Sequence, residues 1–180
     1  IRPYNLKAHP IPPQGKEALT KDLGRDTDEA TDTYDAIDWI IKNVPTHNGN
    51  VGMSGISYPG FYSTMGSLSG HPALKAVSPQ APVTDWFIGD DAHHNGAFFL
   101  MDYFGFGYSF GAPRPKPTTK DAPEFDYPTQ DNYDFFLREG TLKSITKKYF
   151  GDTMKFWNEI MNHPNYDAFW KARAVTAHLK

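Results

Sequence analysis

Apolar and polar positions change period several times along this chain, and each change marks an element. From residue 27, Ala30, Tyr34, Ile37, Ile41 and Val44 recur at steps of three and four, which puts them on one face of a helix. Thr27, Asp28 and Glu29 supply capping and acidic residues to its first turn, while Pro45 and Asn48-Gly49-Asn50 end it. Val51 to Ile56 then reads as a short strand whose glycines mark close backbone approach. The run from Phe61 to Leu68 reads as a second helix, stopped by Gly70 and Pro72, and Leu74 to Val77 as a second strand. Helix, strand, turn, helix, strand is the alternation of a parallel α/β sheet with crossover connections.

After Asp85 the pattern differs. Tyr133/Phe136/Leu137, Leu142/Ile145/Tyr149, Phe156/Trp157/Ile160/Met161 and Tyr166/Phe169/Trp170 are helical spacings, separated by Gly140, Gly151 and Pro164. No β-branched run of strand quality interrupts them. The expected organisation is therefore a partial α/β layer over 1–84 and a mainly helical domain over 85–180. The opening to about Leu23, with Pro3, Pro10, Pro12 and Pro13, reads as an extended surface segment.

Composition narrows the function classes. The chain has 180 residues and a formal charge of −3, without the basic stripe that a nucleic-acid partner requires. No apolar run approaches the roughly 20 residues of a membrane span. Ile1-Arg2-Pro3-Tyr4 is neither an initiator methionine nor a signal-peptide pattern, so a cut end is expected there. The absence of cysteine excludes disulfides, thiolate metal sites and a cysteine nucleophile, and leaves the compartment open. Aromatics make up 15% of the residues and cluster after Trp86, which suits an apolar pocket wall or an irregular helical cap.

The chemistry-bearing feature is Gly55-Ile56-Ser57-Tyr58-Pro59-Gly60, which joins the first strand to the second helix. A serine at the tip of such a turn is held clear of the sheet, and the next backbone N–H, that of Tyr58, is aimed at a developing oxyanion. Pro59 stands where G-x-S-x-G has its second glycine, which arrives one residue later. The same six residues also read as an ordinary strand-to-helix loop. Ser54, inside the strand, reads as structural.

Taken in order, Gly55-Ile56-Ser57-Tyr58-Pro59-Gly60-Phe61, His71-Pro72-Ala73-Leu74-Lys75-Ala76, Asp85, Gly89-Asp90-Asp91 and His94-Asn95-Gly96-Ala97-Phe98 resemble the α-amino-acid ester hydrolases. These belong with glutaryl acylases, cocaine esterase and X-Pro dipeptidyl peptidases to a wider acylase and esterase group, in which the second glycine is commonly displaced as it is here. The resemblance is dense from about Thr27 to Phe99. It implies an incomplete α/β-hydrolase core followed by a helical cap. It also implies a Ser, Asp, His triad in chain order, with Ser57 as nucleophile and the Asp and His beyond Lys180. Asp91 matches a member of the family's carboxylate cluster, which binds a substrate α-ammonium group. The other two acidic members are expected after the catalytic Asp, and a second oxyanion donor, a tyrosine side chain, upstream of Ile1.

Trp86 and Phe87, with Phe98 and Phe99, are candidates for the acyl pocket, although aromatics in such positions also serve as core. Gly89-Asp90-Asp91 also reads as a solvated acidic turn or helix cap, which suits Asp90 better. His93, His94, His163 and His178 are candidates for an internal base, but His93 and His94 read rather as packing or hydrogen-bonding residues near the pocket, His163 beside Pro164 as a helix boundary, and His178 lies near a cut end. A metal is not expected: paired histidines at 93 and 94 diverge on a helix, and H-E-x-x-H is absent. Nor is a cofactor.

The leading expectation is thus a fragment of a serine acyl hydrolase acting on small ester or amide substrates, inactive alone. The resemblance favours an exported protein. Exposed sheet edges call for oligomerisation or for the rest of a longer chain. The alternatives are a non-catalytic helical interaction module, an X-Pro dipeptidyl peptidase-type exopeptidase, and a small complete esterase with an internal histidine.

Overall fold

A computed structural model of the chain describes residues 28–89, 91–113, 116 and 118–179. The extended reading of the opening segment and the residues Thr27 and Asp90 lie outside the described residues. Two compact units emerge, the first comprising 28–89 and 168–179 and the second 91–167.

In the first unit, α1 spans Glu29–Asn43 and β1 Val51–Ile56, followed by α2 over Tyr58–Ser67 and β2 over Leu74–Gln80. Asp28 caps α1: its carboxylate accepts the N–H groups of Ala30 at 2.9 Å and Thr31 at 3.0 Å, and Thr31 Oγ1 accepts from the Asp28 N–H at 2.9 Å. This reciprocal box satisfies amides that the helix leaves orphaned, and all of it is buried. Replacing Asp28 by alanine is expected to lower stability by about 1–2 kcal/mol, read as a shifted urea midpoint with an unchanged m-value.

The strands run parallel, with Met53 beside Val77 and Ile56 beside Gln80. Met53 reaches between the two helices: a Cβ built on Gly66 of α2 would lie 2.5 Å from its sulfur and 3.2 Å from Thr33 of α1. The opposite face, carrying Ser54 and Ile56, is exposed. β2 runs three residues beyond the Leu74–Val77 reading and passes through Pro79. Gln80 C=O accepts from the Ser57 N–H at 3.0 Å, so with alternating strand residues the Pro79 nitrogen faces away from β1 and forfeits no ladder bond there.

Asp85 opens the next turn, accepting from the N–H groups of Phe87 at 2.9 Å and Ile88 at 3.1 Å. The chain re-enters this unit at α7, Ala168–Lys171, and ends in a 3₁₀ turn, Val175–His178. The Val175 N–H donates to Thr84 C=O at 2.9 Å, and Trp170, buried, meets Phe87 edge-on at 5.3 Å. The boundary drawn at Asp85 therefore differs from the structure. Residues 85–89 and 168–179 pack with the first unit, because Trp170 and Val175 bury their apolar surface there.

The second unit opens with an antiparallel hairpin, β3 His93–His94 and β4 Ala97–Phe98. Its turn is Asn95-Gly96, with φ of 50° and 85°, both positive as a two-residue type I′ turn requires. This corrects two expectations: the region after Asp85 is not wholly helical, and His93 and His94 diverge on a strand. The reason is local, since an Asn-Gly pair supplies a hairpin turn without any β-branched run.

Helix α3 (Leu100–Phe110) follows, then α4 (Asn132–Glu139), α5 (Leu142–Ile145), a π-helical turn (Thr146–Phe150) and α6 (Lys155–Met161). Phe104 sits fully buried at the centre of an aromatic core, with ring centroids 4.8 Å from Phe125, 5.2 Å from Phe136 and 5.3 Å from Phe150. Gly107 faces Trp157, whose ring would lie 2.9 Å from a Cβ there. Close approach of α3 to that indole thus requires a residue that weakens the helix locally.

Candidate active site

The strand-to-helix turn is built by two close approaches. A Cβ on Gly55 would lie 2.2 Å from Pro59 O, and one on Gly60 2.6 Å from Gln80 O. Both glycines let the chain reverse against backbone that cannot yield. Between them Ser57 takes φ 62° and ψ −119°, a region that costs an L-residue of order 1–3 kcal/mol. Its backbone is fully used: the N–H donates to Gln80 C=O and the C=O accepts from Phe61 N–H, each at 3.0 Å.

The Ser57 side chain is not used by the fold. It stands at the N-cap of α2 without capping it, is exposed, and bonds to no described residue. Serines and threonines inside α2 behave otherwise: Ser63 donates to Pro59 C=O at 3.0 Å and Thr64 to Gly60 C=O at 3.1 Å. Tyr58 is the first helical residue and Pro59 the second, where a missing N–H costs nothing. The Tyr58 amide therefore belongs to the positive end of α2. Its ring is buried against Phe61 and Trp86, each at 5.6 Å.

Of the residues singled out from sequence, Ser57, Tyr58 and Trp86 meet in one neighbourhood. Trp86 is 2% exposed, a core residue beneath the turn in the first unit. Phe87 is also buried there and faces Trp170. Asp91 lies in the second unit, half-buried in the bend before β3. No described histidine bonds to Ser57. His163 Nδ1 lies 2.7 Å from Asp167 Oδ2, just past the end of α6. His94 stacks on Phe99 with centroids 5.7 Å apart. His178 closes the last 3₁₀ turn. Among the described residues no group of three His, Cys, Asp or Glu side chains gathers as for a metal ion, and no helix is long and apolar enough to cross a membrane.

His93 is buried against Phe98, with ring centroids 5.4 Å apart, and burial holds its pKa below the ordinary 6.5. The unfolded chain then binds more protons than the folded one between the lowered value and 6.5. Stability is accordingly full above 6.5 and falls as pH drops through that window. Burial lowers His71 and His178 in the same direction. Urea midpoints are expected to fall below pH 6.5, and less steeply in His93→Gln than in the parent sequence.

Comparison with known proteins places these features. The family described as X-Pro dipeptidyl-peptidase (S15 family) matches residues 16–180. Cocaine esterase from Rhodococcus sp. (strain MB1 Bresler) is 23% identical over 157 residues, 84% of this chain and 27% of the esterase. An aminopeptidase from a marine-sediment Thaumarchaeota archaeon superposes with a TM-score of 0.74 at 37% identity, over 87% of this chain and 25% of its own. An α-amino acid ester hydrolase gives 0.73 at 34% identity, over 84% of this chain and 24% of its own. The chain thus spans about a quarter of the length of these relatives. The architecture is that of α/β-hydrolase-type enzymes, in agreement with the resemblance drawn from the spaced motifs. On a match covering nearly the whole sequence, the chain belongs to the X-Pro dipeptidyl-peptidase (S15) family.

Proposed function

We propose that this chain carries the nucleophile of a serine acyl hydrolase and that Ser57 is that nucleophile in the full-length protein. The observation that carries the reading is the Ser57 conformation: backbone held at φ 62° by two glycine contacts, hydroxyl exposed and bonded to no described residue. A fold that keeps a strained serine and leaves its side chain idle is consistent with a reactive group.

In the proposed reaction Ser57 Oγ attacks the carbonyl carbon of an ester or amide. Its proton passes to a histidine base supplied from outside residues 28–179, and the carbonyl oxygen becomes an oxyanion facing the Tyr58 N–H. The bond to the leaving alcohol or amine breaks as that group takes the proton from the histidine. Water then hydrolyses the acyl-enzyme. The test is a fluorophosphonate probe followed by mapping of the modified peptide. Modification at residue 57 of the full-length protein, with none in the isolated chain, is the expected result. Modification of a different serine would remove Ser57 from the role.

The proposed substrates are α-amino acyl esters or amides, with Asp91 holding the α-ammonium group. A carboxylate facing an ammonium in a partly desolvated pocket gains far more than the same pair in water. Asp91→Asn in the full-length protein is expected to lower kcat/KM for an α-amino ester by about 10-fold or more. A matched ester without the amine should be little changed. Equal losses on both would argue against ammonium recognition. A second reading, removal of X-Pro dipeptides, is favoured by the family match, and rates on an X-Pro anilide against an α-amino ester separate the two.

A further inference from the structure

The second unit contains a groove of about 610 Å³, lined by Leu142, Lys143, Thr146, Lys147, Asp152 and Met161. This volume lies within the roughly 300–1,000 Å³ range of small-molecule sites. Its floor is braced. The π-turn closes with the Gly151 N–H donating to Thr146 C=O at 2.8 Å. Trp157 Nε1 donates to Thr146 Oγ1 at 2.8 Å, and the Phe150 and Trp157 rings stack 3.9 Å apart. Asn158 Nδ2 donates to Gly151 C=O at 2.6 Å. Single π-turns of this kind occur frequently at functional sites.

The rim carries charges without an ion-pair partner in the fold. Neighbouring ions find partners: Lys148 meets Glu139 at 2.7 Å and Arg138 meets Asp134 at 2.7 Å. Lys143, Lys147 and Asp152 do not; among the described residues none of the three forms an ion pair within 4.0 Å. Two cations and one anion thus face a common groove without neutralising each other, beside the apolar walls of Leu142 and Met161. The complement of that arrangement is a small molecule that carries a carboxylate, an ammonium and an apolar body.

We infer that this groove binds a free apolar amino acid, with its carboxylate on Lys143 and Lys147 and its ammonium on Asp152. The site lies wholly within the second unit and uses neither Ser57 nor Asp91, so it stands whether or not the proposed hydrolysis does.

Calorimetric titration of the full-length protein with L-phenylalanine, N-acetyl-L-phenylalanine and L-phenylalaninamide tests it. Saturable binding of the free amino acid is expected, weakened about fivefold or more when either charged end is blocked. The variants Lys143→Gln/Lys147→Gln and Asp152→Asn should each weaken L-phenylalanine by a similar factor. Lys143→Arg/Lys147→Arg should retain it. All three positions altered are exposed in the fold, and hydrolysis by the full-length protein should be unchanged. Absence of saturable binding would overturn the inference. So would binding that is indifferent to the variants, or equal affinity for the blocked and free forms.

Discussion

Ser57→Ala in the full-length protein is expected to lower kcat/KM by about 10⁴-fold or more, the scale on which losing a catalytic serine acts, and to abolish fluorophosphonate labelling. The loss should fall on kcat, since removing the oxygen deletes the covalent route and leaves the rest of the site intact. The same position carries a second signature. Ser57 has φ 62° and ψ −119°, which glycine adopts without the clash that Cβ imposes on an L-residue. Ser57→Gly should therefore be as inactive as the alanine variant yet more stable, by about 1 kcal/mol. Both readouts come from one pair of variants: a rate assay and a urea melt. If alanine at 57 left hydrolysis within a few-fold of the parent, the nucleophile assignment would fall. If glycine gave no gain in stability over alanine, the strain argument would fall separately.

The second large effect is expected at Gly60. An alanine there would place its Cβ 2.6 Å from the carbonyl oxygen of Gln80 and 3.2 Å from the Cα of Pro82. Both are backbone, and Gln80 O already accepts from Ser57 N–H. Neither can retreat without opening the turn, so Gly60→Ala should cost about 3 kcal/mol, at the upper end for overpacking, and displace Ser57 enough to suppress activity. Gly55→Ala, facing Pro59 O at 2.2 Å, should act alike. Gly49 makes a useful contrast. It has φ 79° but nothing within 4 Å of its would-be Cβ, so Gly49→Ala bears only the left-handed backbone penalty, about 1 kcal/mol, with activity unaffected. A Gly60→Ala protein as stable and active as the parent would show that the turn is not held by this contact.

Much of the first unit was legible because its signals are local. The step of three and four from Ala30 to Ile41, closed by an acidic cap at Asp28 and a proline at 45, describes α1 almost to its ends. Val51 to Ile56 and the start of β2 follow from composition and flanking turns. The hairpin after Asp85 was legible in principle, since Asn95-Gly96 is a short-range turn signal, yet two-residue strands show no alternation to detect. Helix α3 was hidden for another reason. Its sequence LMDYFGFGYSF carries glycines at 105 and 107 that weaken a helical reading, and only Trp157, packed at Gly107, explains one of them. Likewise nothing in Phe169-Trp170 says which core the indole enters.

The sequence by itself determined the α/β alternation, the turn holding Ser57 and the family, because propensity, turn chemistry and motif order act over a few residues. Tertiary structure alone decided that 168–179 returns to the first unit, that Trp86 packs beneath Tyr58, and that the Ser57 hydroxyl has no task in the fold. Those outcomes depend on which distant surfaces exclude water together and which backbone atoms collide, as Gly60 does with Gln80, and such encounters leave no period in the chain.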